Sequence, residues 1–333
     1  VQDNGCEVDF CNFPEGAWPL QKALRAHPGT QVLHLHWVNQ LIGASVWAGS
    51  PVKRWLRRTL LWLDVALARL RGVRVVWTVH NYTSHDSEDP HAELRARHTL
   101  ARSVDHLILH SEGALAKIRE GWGAAGLESL RTSIVRHGNF DGCYPPDERL
   151  TAALRAQWDV QGDATVVLFF GAIRPYKGLE AFVQTLVLVP DARLRLVIAG
   201  KPHTAAFGDL LRGAAAQDPR IILRFEFIPD ADVAAHYAAA DAVAVPLQQT
   251  LTSGSAVLAM TMGRPLLMPS STRHLDLGGP DCVLHYDDEE DLARLLDSLP
   301  ALDLAGMGQR CAAAARDWNW STVGRQTALA YLG

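Results

Sequence analysis

Cysteine is scarce and scattered. The five, at positions 6, 11, 143, 282 and 311, form no Cys-x-x-Cys pair and no zinc-like spacing. An odd, dispersed set suits reduced thiols in a reducing compartment. No apolar run approaches the roughly 18 residues that cross a bilayer, and no stretch at the start reads as a signal peptide. These absences lead to the expectation of a cytoplasmic protein. A basic excess is also missing: 32 Lys and Arg stand against 36 Asp and Glu, a formal charge of −4. That argues against a general nucleic-acid binder, although it leaves room for a local basic patch. No short-period repeat or low-complexity tract interrupts the chain. It opens on Val1 rather than Met, in what reads as the tail of an element, so more sequence is expected upstream.

What is present is an ordinary globular composition, 48% apolar and 20% charged over 333 residues, a length for two domains of about 150 residues. Short apolar runs alternate with helical patterns. In the first half strands are expected at 6–11, 31–37, 73–80, 106–111 and 132–138, with helices near 20–26, at 51–70, up to 103 and at 112–121, and a loop at 43–50. Leu56, Leu60, Leu63, Leu67 and Leu70 are spaced for one face of the helix 51–70. Residues 139–147 are rich in Gly and Pro, a short helix is expected at 150–158, and a domain boundary is expected near 145–163. The alternation then restarts, with strands at 166–170, 194–199, 221–225, 242–245, 265–268 and 283–285 between helices. This order predicts parallel sheets with right-handed crossovers, two Rossmann-like domains in series, and a cleft between them as the default ligand site.

The stretch Val166-Val-Leu-Phe-Phe-Gly-Ala-Ile-Arg-Pro-Tyr-Lys-Gly178 organises the second half. Five apolar residues read as a strand buried on both faces. Gly171 permits a tight turn, and Arg174 and Lys177 follow before a helix begins. Ligands of open α/β sheets sit beyond the carboxyl ends of strands, so this is a place for a diphosphate. Two more loops converge there: Gly200-Lys-Pro-His203, and Leu251-Thr-Ser-Gly-Ser-Ala256, where Thr252 or Ser253 can cap a helix whose free N–H groups make a second anion site.

These motifs, FFGAIRPYKG, LVIAG, FEFIPDADVAAHYAAADAVAVPL and LTSGSAVLAMTMGRPLL, together with HLHW, VVWTVHN, DHLILHS and VRHGNF in the first half, resemble GT-B glycosyltransferases of the family-4-like superfamily, and within it the β-mannosyltransferase-like exopolysaccharide subgroup. The resemblance covers nearly the whole chain and implies an α/β fold of GT-B type, two Rossmann-like domains with parallel sheets facing across a cleft. Residues 1–150 would be the acceptor domain, lacking its first strand, 151–316 the donor domain, and 317–333 a helix crossing back. It further implies a nucleotide-diphosphate sugar as co-substrate, GDP-mannose favoured, with a hydroxyl of a glycan or lipid-linked molecule as acceptor. Arg174, Lys177, Ser253, Gly254 and Ser255 would hold the diphosphate, and Gly171, Gly200, Phe227 and Ile228 the nucleotide. With two cations at the diphosphate, neither metal nor cofactor is expected.

The positions where retaining members carry paired glutamates are Thr250 and Leu258 here, and Ala172 replaces an Arg that often follows the loop glycine. Retention and inversion therefore both stay open. Inversion needs a base: His80 matches a histidine aimed at the donor, and Asp86, ahead of His85 and Glu88, is the expected base. His34, His36, Trp37, His137 and Gly138 are expected on the acceptor side. Residues 53–74 hold seven basic residues against Asp64, with Trp55 and Trp62 one heptad apart, so the helix 51–70 is a candidate contact with the inner face of a membrane. A retaining enzyme of small-metabolite biosynthesis, an inactive GT-B-shaped binding protein and a nucleotide-sugar epimerase are the competing readings.

Overall fold

The computed structural model describes residues 1–333 except 14, 15, 47, 48, 85, 86, 88, 123–129, 249 and 333. Two units emerge from the packing. One comprises Val1–His137, Thr250–Thr252 and Trp320–Gly333, the other Gly138–Gln249 and Ser253–Asn319.

In the first unit β1 (Val32–Leu35), β2 (Arg74–Thr78), β3 (His106–Leu109) and β4 (Arg131–Ile134) pair in parallel in that spatial order. Val75, Trp77, Leu107 and Leu109 point into one core with Leu20, Val65, Leu100 and Ile118 from the covering helices. The helix Trp320–Leu332 belongs to this unit, where Ala330 packs on Val76, Ile108 and Val135. In the second unit β5 (Thr165–Phe170), β6 (Leu194–Ala199), β7 (Ile221–Arg224), β8 (Ala242–Ala244), β9 (Leu266–Pro269) and β10 (Val283–Tyr286) are again all parallel, in the order β10-β9-β8-β5-β6-β7. This is the doubly wound order, and its direction reverses between β5 and β8. Val166, Val167 and Leu168 are fully buried because helices cover both faces of the sheet, which is why the run reads as unbroken apolar sequence.

Three expectations need correction. Residues 6–11 form no strand: Phe10 is 91% exposed and no neighbouring chain pairs with the segment. Alternation alone does not make a strand without a surface to cover. The expected loop 43–50 overlaps a helix, Asn39–Val46, held by burial of Leu41, Ile42 and Val46 despite its Gly and Ser. The helix Pro51–Leu70 has the expected bounds, capped by Ser50, whose Oγ accepts the Lys53 N–H at 3.3 Å, but it is turned the other way. Its buried residues are Leu61, Asp64, Val65 and Ala68, whereas Leu56, Leu67 and Leu70 face outward. Asp64 accounts for the rotation. Its carboxylate accepts the Leu20 N–H at 2.9 Å and the Gln21 N–H at 3.2 Å. It thereby satisfies the start of the helix Pro19–Ala26, which has no side-chain cap of its own. Burial raises the Asp64 pKa, and these bonds oppose the rise. Among the described residues, no helix is long and apolar enough to cross a membrane.

Candidate active site

The reversal between β5 and β8 leaves a gap at their carboxyl ends, where no crossover helix can cover the sheet. A pocket lies there, lined by Phe169, Phe170 and Lys177 on the β5 side, by residues 243–247 running out of β8, and by Tyr237, Ser253 and Ser255. Two separate segments, the turn after β5 and the start of the helix Gly254–Thr261, therefore bring Lys177, Ser253 and Ser255 to one place. Lys177 closes a short turn, Pro175–Lys177, and its ammonium sits 5.7 Å from the centre of the Phe169 ring. Burial, and secondarily the charge of Arg174, push its pKa down to about 8. A cation stripped of water beside another cation is a standing demand for an anion. Ser253 caps the helix Gly254–Thr261, its Oγ accepting the Ala256 N–H at 3.2 Å. Helix capping is thus Ser253's work rather than Thr252's.

The glycines of this region have steric causes. Gly200, at φ 146, ends β6 where its backbone abuts the carbonyl oxygen of Gly171, and a Cβ would fall inside that oxygen. The two loops stay together through Ile173, whose N–H donates to the Lys201 carbonyl at 3.0 Å and whose carbonyl accepts the His203 N–H at 2.9 Å. Gly178, at φ 71, lies close to the Pro246 carbonyl at the pocket rim, where a Cβ would also clash. Phe227 is 76% exposed on the loop after β7, and Ile228 beside it is half-buried. Arg174 is half-buried next to the Lys177 turn but is not among the residues lining the pocket.

Tyr237 is a lining residue that the sequence reading missed. It is fully buried, and its hydroxyl has no hydrogen-bond partner among the described residues. Nothing in its Ala-rich surroundings signals it. An Asp-x-Asp metal motif is not expected from the sequence, yet one such triplet is present, Asp230-Ala-Asp232. Both residues occupy the first turn of the helix Asp230–Ala239, where carboxylates complement the helix dipole. Among the described residues, no group of three or more potential ligands is placed to hold a metal ion.

In the first unit every strand delivers a histidine at its carboxyl end: His36 after β1, His80 after β2, His110 after β3 and His137 after β4. Their rings form one cluster. His36 Nδ1 lies 3.0 Å from His80 Nε2, His80 Nδ1 lies 3.3 Å from His110 Nε2, and His110 Nδ1 donates to the Val135 carbonyl at 2.8 Å. His137 stands 5.7 Å, centre to centre, from His110 and 6.4 Å from Trp320. Trp37, 62% exposed, stacks on His80 at 4.5 Å. His34 bonds outside this chain of rings: its nitrogens are engaged at 2.7 Å, one by the Tyr331 hydroxyl and one by Thr78 Oγ1. Burial, followed by repulsion among the rings, pushes His34 and His80 down to about 3 and His110 to about 4, and burial lowers His36. His34, His80 and His110 are therefore uncharged at neutral pH.

His110 was missed as a site residue although the sequence signals it, since HLHW, TVHN, LILHS and VRHG each place a histidine just past a strand. Gly138 is buried and opens the second unit. Asp86, His85 and Glu88 lie outside the described residues. Just ahead of them in the chain, Asn81 and Ser84 are held by a buried pair. Glu93 Oε1 accepts the Ser84 N–H at 2.7 Å and bonds Arg97 at 2.8 Å, while Arg97 donates to the Asn81 carbonyl at 3.2 Å.

A doubly wound unit with a cationic pocket at its switch point, and a second parallel-sheet unit with polar strand ends, together have the plan of a GT-B glycosyltransferase. Comparison with known proteins carries this to the family. The model of the family described as "Glycosyl transferases group 1" matches residues 164–300. A GDP-mannose:glycolipid 4-beta-D-mannosyltransferase of Xanthomonas campestris pv. campestris is 31% identical over 292 residues, covering 86% of this chain and 76% of that protein. A D-inositol 3-phosphate glycosyltransferase of Corynebacterium efficiens is 28% identical over 302 residues, covering 83% of this chain and 69% of that one. In fold the chain is similar to sucrose-phosphate synthase from Thermosynechococcus elongatus, with TM-score 0.69 at 20% identity over 93% of this chain and 75% of the other. The chain belongs to the family-4-like GT-B glycosyltransferases, and it is a glycosyltransferase that uses a nucleotide sugar.

Proposed function

We propose that this enzyme transfers mannose from GDP-mannose to a hydroxyl of a glycan or lipid-linked acceptor. The observation that carries the donor half is the convergence of Lys177, Ser253 and Ser255 on one pocket at the switch point of the second unit. Lys177, with Arg174 beside it, supplies the charge that a departing diphosphate requires, and the N–H groups at Gly254 and Ser255 open a helix toward it. Phe227 and Ile228 face the guanine, with Gly171 and Gly200 setting the loops. Two fixed cations do the work a divalent ion does elsewhere, so transfer proceeds in EDTA. The mannose and guanosine assignments are supported by the similarity to the Xanthomonas protein. The acceptor binds in the first unit, beside His36, Trp37 and His137.

The outward face of the helix Pro51–Leu70 supports a lipid-linked acceptor. Trp55 (60% exposed), Leu56, Trp62 (50%), Leu67 and Leu70 make an apolar stripe, with Lys53, Arg57 and Arg69 around it. Aromatic rings flanked by cations are what an anionic bilayer surface binds.

Thermal shift with GDP, UDP, ADP and dTDP in EDTA tests the donor. GDP at 100 times its dissociation constant should stabilise by about 2.7 kcal/mol, and Lys177→Ala should abolish the shift. No shift with any nucleotide would refute the pocket assignment, and a shift with another nucleotide alone would refute guanosine. Flotation with anionic vesicles tests the helix, the expected result being binding lost in Trp55→Ala/Trp62→Ala.

A further inference from the structure

The histidine chain in the first unit has a direction. A carbonyl oxygen can only accept, so His110 Nδ1, 2.8 Å from the Val135 oxygen, carries the proton. In a neutral ring the other nitrogen, Nε2, is then bare and accepts from His80 Nδ1. His80 Nε2 is in turn bare and accepts from His36 Nδ1. One backbone carbonyl thus fixes three tautomers in sequence and leaves the lone pair of His36 Nε2 without a partner among the described residues. His36 is the exposed end of the chain.

We propose that His36 Nε2 is the base that takes the proton of the acceptor hydroxyl, oriented for that role by His80 and His110. The inference rests on the reading that the acceptor binds in the first unit. In the transfer, the O–H bond of the acceptor breaks as its oxygen bonds to the anomeric carbon. The bond from that carbon to the diphosphate oxygen breaks, and its electron pair leaves with the nucleotide. The proton resides on His36 Nε2 and afterwards passes to water. It has no inward exit, since the chain ends at a carbonyl. The groups around the relay are His34 and Trp37 from the end of β1, His80 from β2, His110 from β3, His137 after β4, and Tyr331 and Trp320 from the C-terminal helix. Burial lowers the pKa of His36 below its ordinary value, and the neighbouring rings of His34, His80 and His110 are held neutral, so the base is unprotonated at neutral pH. His36 touches the substrate; His80 and His110 are positioning residues that act through it.

The test uses the whole chain, labelled with 15N-histidine. Long-range 1H–15N spectra at pH 7 should show Nδ1–H tautomers with bare Nε2 at His36, His80 and His110, assigned by single substitutions. An Nε2–H tautomer or a charged ring at His36 overturns the proposal. Turnover is read with GDP-mannose and an alkyl glucoside as acceptor probe. His36→Ala should lower kcat at least about 100-fold with KM for GDP-mannose unchanged, and added imidazole should restore part of the rate. His36→Asn, which keeps a donor for His80 but no basic nitrogen, should fall as far. His110→Ala should lower kcat about tenfold without imidazole rescue and distort the acid limb of the pH profile. A GDP thermal shift with kcat in His36→Ala within threefold of wild type overturns the base assignment alone. Absence of any nucleotide shift in the wild type overturns the donor reading and the base assignment with it.

Discussion

The buried histidines make stability depend steeply on pH, and the size of the effect follows from their burial. His34 is held neutral to about pH 3, below its ordinary value of 6.5, chiefly because its ring is desolvated and secondarily because His36 stands beside it. Its nitrogens are engaged by Tyr331 and Thr78 at 2.7 Å in the fold and by water in the unfolded chain. Below pH 6.5 the unfolded chain binds a proton that the folded chain refuses. Acidification therefore pulls toward unfolding, from about 6.5 down to the folded value. Each bound proton is worth about 1.4 kcal/mol per pH unit. Between pH 7 and 5 the integrated loss from one such ring is about 2 kcal/mol. His80 and His110 behave in the same sense, at about 3 and about 4. Three rings then remove about 6 kcal/mol, within the total stability of an ordinary domain.

The two units need not unfold together, so the assay must report on the first alone. Hydrogen exchange at the amides of β2, Val75 to Thr78, gives the opening free energy of that unit directly. Measured at pH 7 and pH 5 and corrected for intrinsic rates, the wild type should lose several kcal/mol. His34→Gln, which cannot titrate, should lose about 2 kcal/mol less over the same interval. Equal losses in the two proteins, or a gain on acidification, would refute the claim that burial holds this ring neutral.

Three other expectations follow from single contacts. Nucleotide binding should take up about half a proton per site at pH 8, where Lys177 is half-neutral before binding, and almost none at pH 6.5; calorimetry in buffers of different ionisation enthalpy reads this, and uptake independent of pH would exclude Lys177 as the anion's partner. Asp64→Ala leaves the Leu20 and Gln21 N–H groups buried without an acceptor and should cost about 2–5 kcal/mol by urea unfolding, with Asp64→Asn costing less. Gly200→Ala places a methyl against the Gly171 carbonyl at a φ that L-residues avoid, so it should destabilise the second unit by at least about 2 kcal/mol and weaken nucleotide binding; a neutral effect would show that the two loops can separate freely.

The second unit was more legible in the sequence than the first because burial on both faces leaves few choices. Val166 to Phe170 could only be an interior strand, and its neighbours followed from alternation. The segment 6–11 and the helix Pro51–Leu70 misled for the opposite reason, since their patterns are periodic without saying which side is covered. The Leu spacing predicts a face; the buried carboxylate of Asp64, serving a helix more than forty residues away, decides which face goes inward. The candidate site divides in the same way. That Lys177 and the Ser253 loop lie near strand ends follows from topology, so their convergence could be anticipated from spacing. That four successive strands end in histidine was equally visible, but what those rings do was not. Any of the four could have been a packed core residue, a charged group or a base. The choice falls to the Val135 carbonyl, a backbone atom that every residue carries and no sequence singles out. By accepting from His110 it sets the polarity of the rings that follow and turns a cluster of titratable side chains into a chain with one reactive end.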